Sequence, residues 1–161
     1  MTPVVLLSSL ASLWTFHPAK AEVSREVSRA GDWRIEKVTD RFTGQTACTL
    51  ERGDLAVRYG ALVVNLGRKT DVTNGRFRVD NGPVRSLTEG LTDVAAGHYP
   101  FFEERATSPI RGKAVLPLAY VAGAETVTVQ PKPTRRAQTF ALSGLPEALT
   151  AARATGCAIP G

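Results

Sequence analysis

The chain predicts a mainly β protein: one antiparallel β-sandwich or rolled sheet, finished by a C-terminal helix and one disulfide. Three observations carry this. Short alternating or β-branched segments follow one another from Trp33 to Leu142, with turn residues between them. Asn-Gly occurs twice, at Asn74-Gly75 and Asn81-Gly82, and suits tight hairpin turns whose central residues need positive φ. Only residues 144–155 repeat apolar residues convincingly at helical spacing. The 161 residues suffice for one ordinary domain, and 43% hydrophobic against 22% charged residues is the balance of a folding chain. Aromatic residues at 7% leave a mainly aliphatic core.

The elements follow in order. Residues 4–14 form an apolar run, too short to cross a hydrocarbon core about 30 Å thick as a helix. Pro18 and then Ala19-Lys20-Ala21 follow, a small-x-small pattern. Together they predict a secretory signal peptide over residues 1–21, although no Lys or Arg precedes the run; the competing reading is a buried N-terminal helix. Residues 22–32 repeat V-S-R-E and V-S-R-A without an apolar face and predict a flexible leader. A single β-rich domain then fills residues 33–161.

Trp33 to Val38 alternates as a strand, a polar turn spans Asp40 to Gly44, and Thr46 to Glu51 is the next strand, with Cys48 and Leu50 on one face. Leu55, Val57 and Tyr59 alternate with polar or small residues, and Ala61 to Leu66 is apolar enough for a central strand. Two-residue loops at both Asn-Gly sites set a register in which Val72 faces Phe77, Val79 faces Val84, and Arg78 faces both Asp71 and Arg85. Val72, Phe77, Val79 and Val84 then bury one face, while Arg76, Arg78 and Arg85 share the wet face with Asp71. Pro83 cannot donate a ladder hydrogen bond, so the last strand is short or lies at an edge.

Gly90, Gly97, Pro100 and Pro109 break any long element across 88–111, where Tyr99 to Phe102 reads as an apolar plug or the start of a short helix. Strands follow at 114–122, interrupted at Pro117, at 126–129, and ending at Phe140 and Leu142. The helix starts at an N-cap Gly144, with Pro146 in its first turn and Glu147 at the dipole's positive end. Leu145, Ala148, Leu149 and Ala152 form its apolar stripe, and Gly156 stops it.

Export decides the reading of Cys48 and Cys157. In an oxidising compartment a lone pair predicts a disulfide. It would close a loop of about 110 residues, worth roughly 4–5 kcal/mol by chain entropy, and staple the helix to the sheet. Two buried free thiols or a redox pair are the alternatives, and the C-x-x-C spacing of redox pairs is absent.

The catalytic inventory is thin. Two Cys and two His exclude a Cys/His zinc site or an iron–sulfur cluster held by this chain alone, and no cofactor is expected. His98 is the only histidine beyond the leader, and no G-x-S-x-G accompanies it. Gly67-Arg68-Lys69-Thr70 lacks the G-x-x-x-x-G-K spacing of a phosphate loop and leads into a hairpin rather than a helix. Glu103-Glu104 offers two carboxylates, more in keeping with a solvated face than with an acid–base pair.

The charge is more informative. Twenty basic against fifteen acidic residues give +5. Arg76, Arg78 and Arg85 project from a stiff hairpin, and Arg111 with Lys113, and Lys132 with Arg135 and Arg136, add local positive charge. Such a face attracts anionic surfaces such as envelope polymers or host polysaccharide. Nucleic-acid binding wants aromatic rings among the charges, and Phe77 points the other way. An ordinary solubilising face, partly neutralised by Asp71 and Asp80, is the competing reading.

Three patterns together resemble a loose group of small exported bacterial proteins: Trp33 with Asp40 to Gly44 and Cys48; Phe77-Arg78-Val79-Asp80-Asn81-Gly82-Pro83; and Phe140 to Leu145 running through Ala148-Leu149 to Cys157. The group includes the invasion-associated locus B family and periplasmic accessory proteins of type VI secretion. The resemblance covers roughly residues 33–157 and rests on strand, turn and helix-packing signals. It implies a β-rich periplasmic domain without catalysis, serving envelope function or host interaction. Locus B proteins usually carry more cysteines in mid-chain than this one, and no functional residue carries over.

The expectation is therefore a periplasmic or secreted, non-enzymatic interaction module without a metal. Its partner would be a protein or anionic polymer of the cell envelope or host surface, not nucleic acid. Two alternatives stand beside it: a hydrolase of envelope polymer using carboxylates near Glu103, and a type VI secretion accessory protein.

Overall fold

A computed structural model describes residues 23–96 and 111–159. Five strands come first along the chain: β1 (Val23–Ala30), β2 (Trp33–Asp40), β3 (Thr46–Arg52), β4 (Leu55–Arg58) and β5 (Ala61–Asn65). Then come β6 (Arg76–Val79), β7 (Arg85–Ser86), helix α1 (Leu87–Ala96), β8 (Lys113–Pro117) and a short helix α2 (Leu118–Val121). The chain closes with β9 (Thr126–Gln130), β10 (Gln138–Ala141) and helix α3 (Leu145–Ala154). The strands form two antiparallel sheets, one ordered β1-β2-β3-β4-β5-β8 and the other β10-β9-β6-β7.

Register explains the core. Ile35, Leu50, Val57, Leu62 and Leu116 are successive cross-strand partners, so one apolar row crosses the larger sheet. Phe77, Val127 and Val129 of the smaller sheet meet this row in one cluster, with Leu145, Ala148, Leu149 and Ala152 of α3. The fold is thus the mainly β, disulfide-bonded architecture that the sequence predicts, in its two-sheet form.

The C-terminal helix follows its signals. Gly144 takes φ 75 at the N-cap, and a Cβ there would sit 3.4 Å from the Trp33 ring. At the other end Gly156 N–H donates to Arg153 O and Cys157 N–H to Ala152 O, the paired bonds of a Schellman stop. Lys37 Nζ donates to Thr155 O at 2.8 Å, which places a cation at the negative end of the helix. Cys157 is bonded to Cys48 on β3, directly opposite Lys37.

Four expectations are corrected. The supposed flexible leader contains β1, paired with β2 along its whole length through the two-residue loop Gly31-Asp32. It is an edge strand exposed on nearly every residue, so it has no apolar face to advertise it.

Asn74-Gly75 does not join two strands. Gly75 N–H does close a turn on Val72 O, but neither residue has positive φ, and β6 pairs with β9 instead of with 68–72. Gly75 fits a tight space, since a Cβ would lie 2.5 Å from Leu87 Cδ1 and 3.0 Å from the backbone carbonyls of Val72 and Pro131.

At the second Asn-Gly the positive φ falls on Asp80, the turn spans Val79 to Gly82, and Phe77 rather than Arg78 faces Arg85. Val84 is consequently 62% exposed instead of buried. Pro83 does leave β7 short and at an edge, as expected.

Finally, residues 87–96 form a helix despite Gly90. Ser86 Oγ accepts from Glu89 N–H at its start, and Gly90 lets Leu116 and Phe77 approach within 3.2 Å of where a Cβ would be. Leu91 and Val94 pack with Ala61 and Val115 on the outer side of the larger sheet, so α1 covers edge strand β8.

Candidate anion-binding groove

The arginine trio does not share a face. A one-residue change of register turns a strand side chain to the other side. Arg76 and Arg78 lie on the exposed face of β6, whereas Arg85 falls on the side of Phe77. There the Arg85 guanidinium stacks over Tyr120 at 4.6 Å, donates to its hydroxyl at 2.8 Å and pairs with Glu89 at 3.5 Å. Tyr120 in turn donates to Asp93 Oδ2 at 2.6 Å. That hydrogen bond, with burial and the Asp93 charge, raises the phenol's pKa despite Arg85. Arg85 therefore ties β7, α1 and α2 together.

Arg76 has a different task. Its guanidinium donates to Gln130 Oε1 at 3.1 Å, which turns Gln130 Nε2 toward the carbonyls of Arg135 and Pro133 at 2.9 and 3.3 Å. Arg135 N–H closes the same loop on Lys132 O. The basic connection 131–137 between β9 and β10 is thus held by a side chain from each of two strands. Arg78 makes no hydrogen bond or ion pair among the described residues.

Opposite that loop lies Gly67-Arg68-Lys69-Thr70. It is a turn closed by Thr70 N–H on Gly67 O, with the Thr70 hydroxyl donating to Leu66 O. Gly112 fastens it: Gly112 N–H donates to Thr70 O, and Gly112 O accepts from Leu66 N–H. At Gly112 φ is 74, and a Cβ would lie 2.9 Å from Gly67 C and 3.0 Å from Arg68 Cα. Only glycine lets these two backbones pass so closely.

Between the two loops runs a groove of about 570 Å³ lined by Lys69, Lys132, Arg135 and Arg136. Thr70, Gln138 and one carboxylate, Asp71, are the other polar residues lining it among the described residues. Asp71 Oδ1 accepts from Thr73 N–H at 3.0 Å and from its hydroxyl at 2.6 Å, while Oδ2 lies 2.6 Å from Lys132 Nζ. Hydrogen bonding from Lys132, then from Thr73, holds this carboxyl well below its ordinary pKa of 3.8. Lys69, Arg135 and Arg136 make no ion pair among the described residues. A smaller hollow of about 260 Å³ shares Asp71 and continues toward Thr73 and Arg111.

The groove was half legible. Both basic strings stand out in the sequence, but Gly112 and the β6–β9 pairing, which bring them together, are long-range features. A second concavity of about 420 Å³ on the outer face of the larger sheet is charge-balanced. Its Glu51 pairs with its Arg58 at 2.6 Å, and beside it on the same face Arg34 pairs with Glu51 at 3.5 Å and with Glu36 at 3.0 Å.

The signal peptide, His98, Glu103 and Glu104 lie outside the described residues. Among the described residues no group of three or more His, Cys, Asp or Glu could hold a metal ion, and no helix is long and apolar enough to cross a membrane. No family model, curated protein or solved structure matches the chain.

Proposed function

We propose that the chain is a non-catalytic binding module of the periplasm or the medium, which engages an anionic partner of the cell envelope or host surface through the basic groove. One observation carries the reading. Lys69, Arg135 and Arg136 face a single concave groove without ion-pair partners among the described residues, and the one carboxylate among its described lining residues, Asp71, already holds Lys132. On the outer face of the larger sheet, by contrast, Arg25, Arg34 and Arg58 each pair with Glu36 or Glu51. Like charges gathered in a cleft focus the field and favour an anionic partner there. The bond between Cys48 and Cys157 fits an oxidising compartment. The resemblance to exported proteins of the invasion-associated locus B and type VI accessory kind points the same way.

The test is a binding titration of fluorescently labelled polyanion at low and physiological ionic strength. The double variant R135E/R136E is expected to lose about tenfold or more in affinity, and wild-type binding to weaken as salt screens the charges. Unchanged affinity in the variant would remove the groove from the function.

A further inference from the structure

This inference rests on the proposed function and names the ligand class. We propose that the groove takes an acidic polysaccharide, a chain carrying both anionic groups and hydroxyls, and that Asp71 selects for the hydroxyls.

A fixed carboxylate on the wall of a groove built for negative charge alone weakens the groove's pull on an anion. At about 6 Å in water that charge repels an anion enough to cost roughly threefold in affinity. Yet Asp71 is held in place twice over, by the amide and hydroxyl of Thr73 through Oδ1 and by Lys132 through Oδ2. A carboxylate oxygen accepts more than one hydrogen bond, so Oδ2 retains acceptor capacity beside Lys132. A ligand's carboxylate or phosphate oxygens cannot donate to it, whereas a hydroxyl can. Gln138, exposed on the same wall, adds an amide NH2 with two N–H donors and a carbonyl oxygen acceptor.

The shape suggests a chain rather than a single sugar. Asp71 stands between two hollows, one with Lys69, Lys132, Arg135 and Arg136, the other with Arg111. Cations thus flank the acceptor on both sides, matching a repeat in which hydroxyls alternate with acidic groups. Among the described residues no aromatic ring lines either hollow, so these residues offer no stacking platform of the kind single-stranded nucleic acid uses.

The experiment compares two polyanions matched in length and mean charge spacing: polygalacturonate, which carries hydroxyls, and polyacrylate with about half of its carboxylates methyl-esterified, which does not. Fluorescence titrations use the purified protein, D71N and Q138A. Wild type is expected to prefer polygalacturonate by about tenfold. In D71N the amide oxygen keeps the Thr73 bonds and an NH2 replaces the acceptor. The preference should fall to about twofold or less, with polyacrylate affinity rising about threefold. Q138A, which removes an exposed side chain, should lower polygalacturonate affinity alone.

Equal wild-type affinity for the two polymers, or a preference unchanged in folded D71N, overturns the selection by Asp71 while R135E/R136E-sensitive binding keeps the groove as an anion site. Absence of salt-sensitive binding to either polymer overturns both. Thermal melts of D71N report whether it folds; if it does not, the same comparison in D71S, which also removes the carboxylate, decides the matter.

Discussion

Replacing both cysteines, as C48S/C157S, removes a bond between residues 109 apart in sequence. The crosslink restricts the unfolded chain far more than the folded one. The entropy relation for a loop of this length gives about 4.8 kcal/mol at room temperature. For a domain of this size each kcal/mol moves the midpoint by roughly 3–4 °C, so the variant should melt about 14–19 °C lower. It should still fold. The apolar stripe of α3 stays buried against the core, and Lys37 still caps the helix at Thr155 O. The assay is thermal unfolding followed by far-UV circular dichroism, for wild type with and without reductant and for the variant. Alkylation counts run in parallel: no reactive thiol in the native protein, and two after denaturation with reductant. A midpoint change under about 3 °C would refute the reasoning, because the bond would then not be constraining the unfolded state.

Other consequences follow from single positions. Trp33 is fully buried and its indole N–H donates to Ser143 O at 3.1 Å, with Arg52 beside the ring at 5.7 Å. W33A should cost about 3–5 kcal/mol and W33F about 1–2, measured by urea unfolding. G112A forces a β-carbon against the 67–68 backbone at positive φ, and should cost about 2 kcal/mol or more and weaken polyanion binding in the folded fraction. Tyr120's raised pKa means that the folded state holds the phenolic proton more tightly than the unfolded chain does. The stability it contributes is present below the ordinary value of 10.0 and is lost as pH rises through the higher folded value, so Y120F should flatten the alkaline fall in midpoint. Asp71 has the opposite sign. Its lowered pKa contributes stability above 3.8, lost as pH falls through the lower folded value, and its carboxyl should still be ionised by NMR at about pH 3.

What the sequence made legible was local. Hydrophobic alternation located β2 to β5 and β9, and the caps of α3 were readable because Gly144, Pro146, Glu147 and Gly156 act within one turn of the helix they bound. The disulfide was readable because only two cysteines exist. Strand β1 was not, since an edge strand with neither face buried has no apolar period. Helix α1 carried a missed signal, Ser86-Leu87-Thr88-Glu89, which has the S-x-x-E form of a capping box and ends in the Ser86–Glu89 bond. Gly90 outweighed that signal because its tertiary reason, the approach of Leu116 and Phe77, lies outside the local window.

The misplacement of the arginine site has a similar physical origin. A two-residue Asn-Gly loop fixes the register only if the turn residues themselves take the positive φ. Here Asp80 takes it, since its carboxylate is needed elsewhere: Oδ1 accepts from Thr126 N–H at 2.8 Å and from Glu125 N–H at 3.1 Å, anchoring the start of β9. That anchoring moves the turn back by one residue. Arg85 passes to the inner side and is consumed in locking Tyr120, which divides the expected cationic face. The same β6–β9 pairing brings Arg76 to Gln130 and so shapes the loop that carries Lys132, Arg135 and Arg136. One tertiary contact at Asp80 therefore both dissolves the predicted site on the strands and supports the one on the loops, where a rigid scaffold more often holds binding residues.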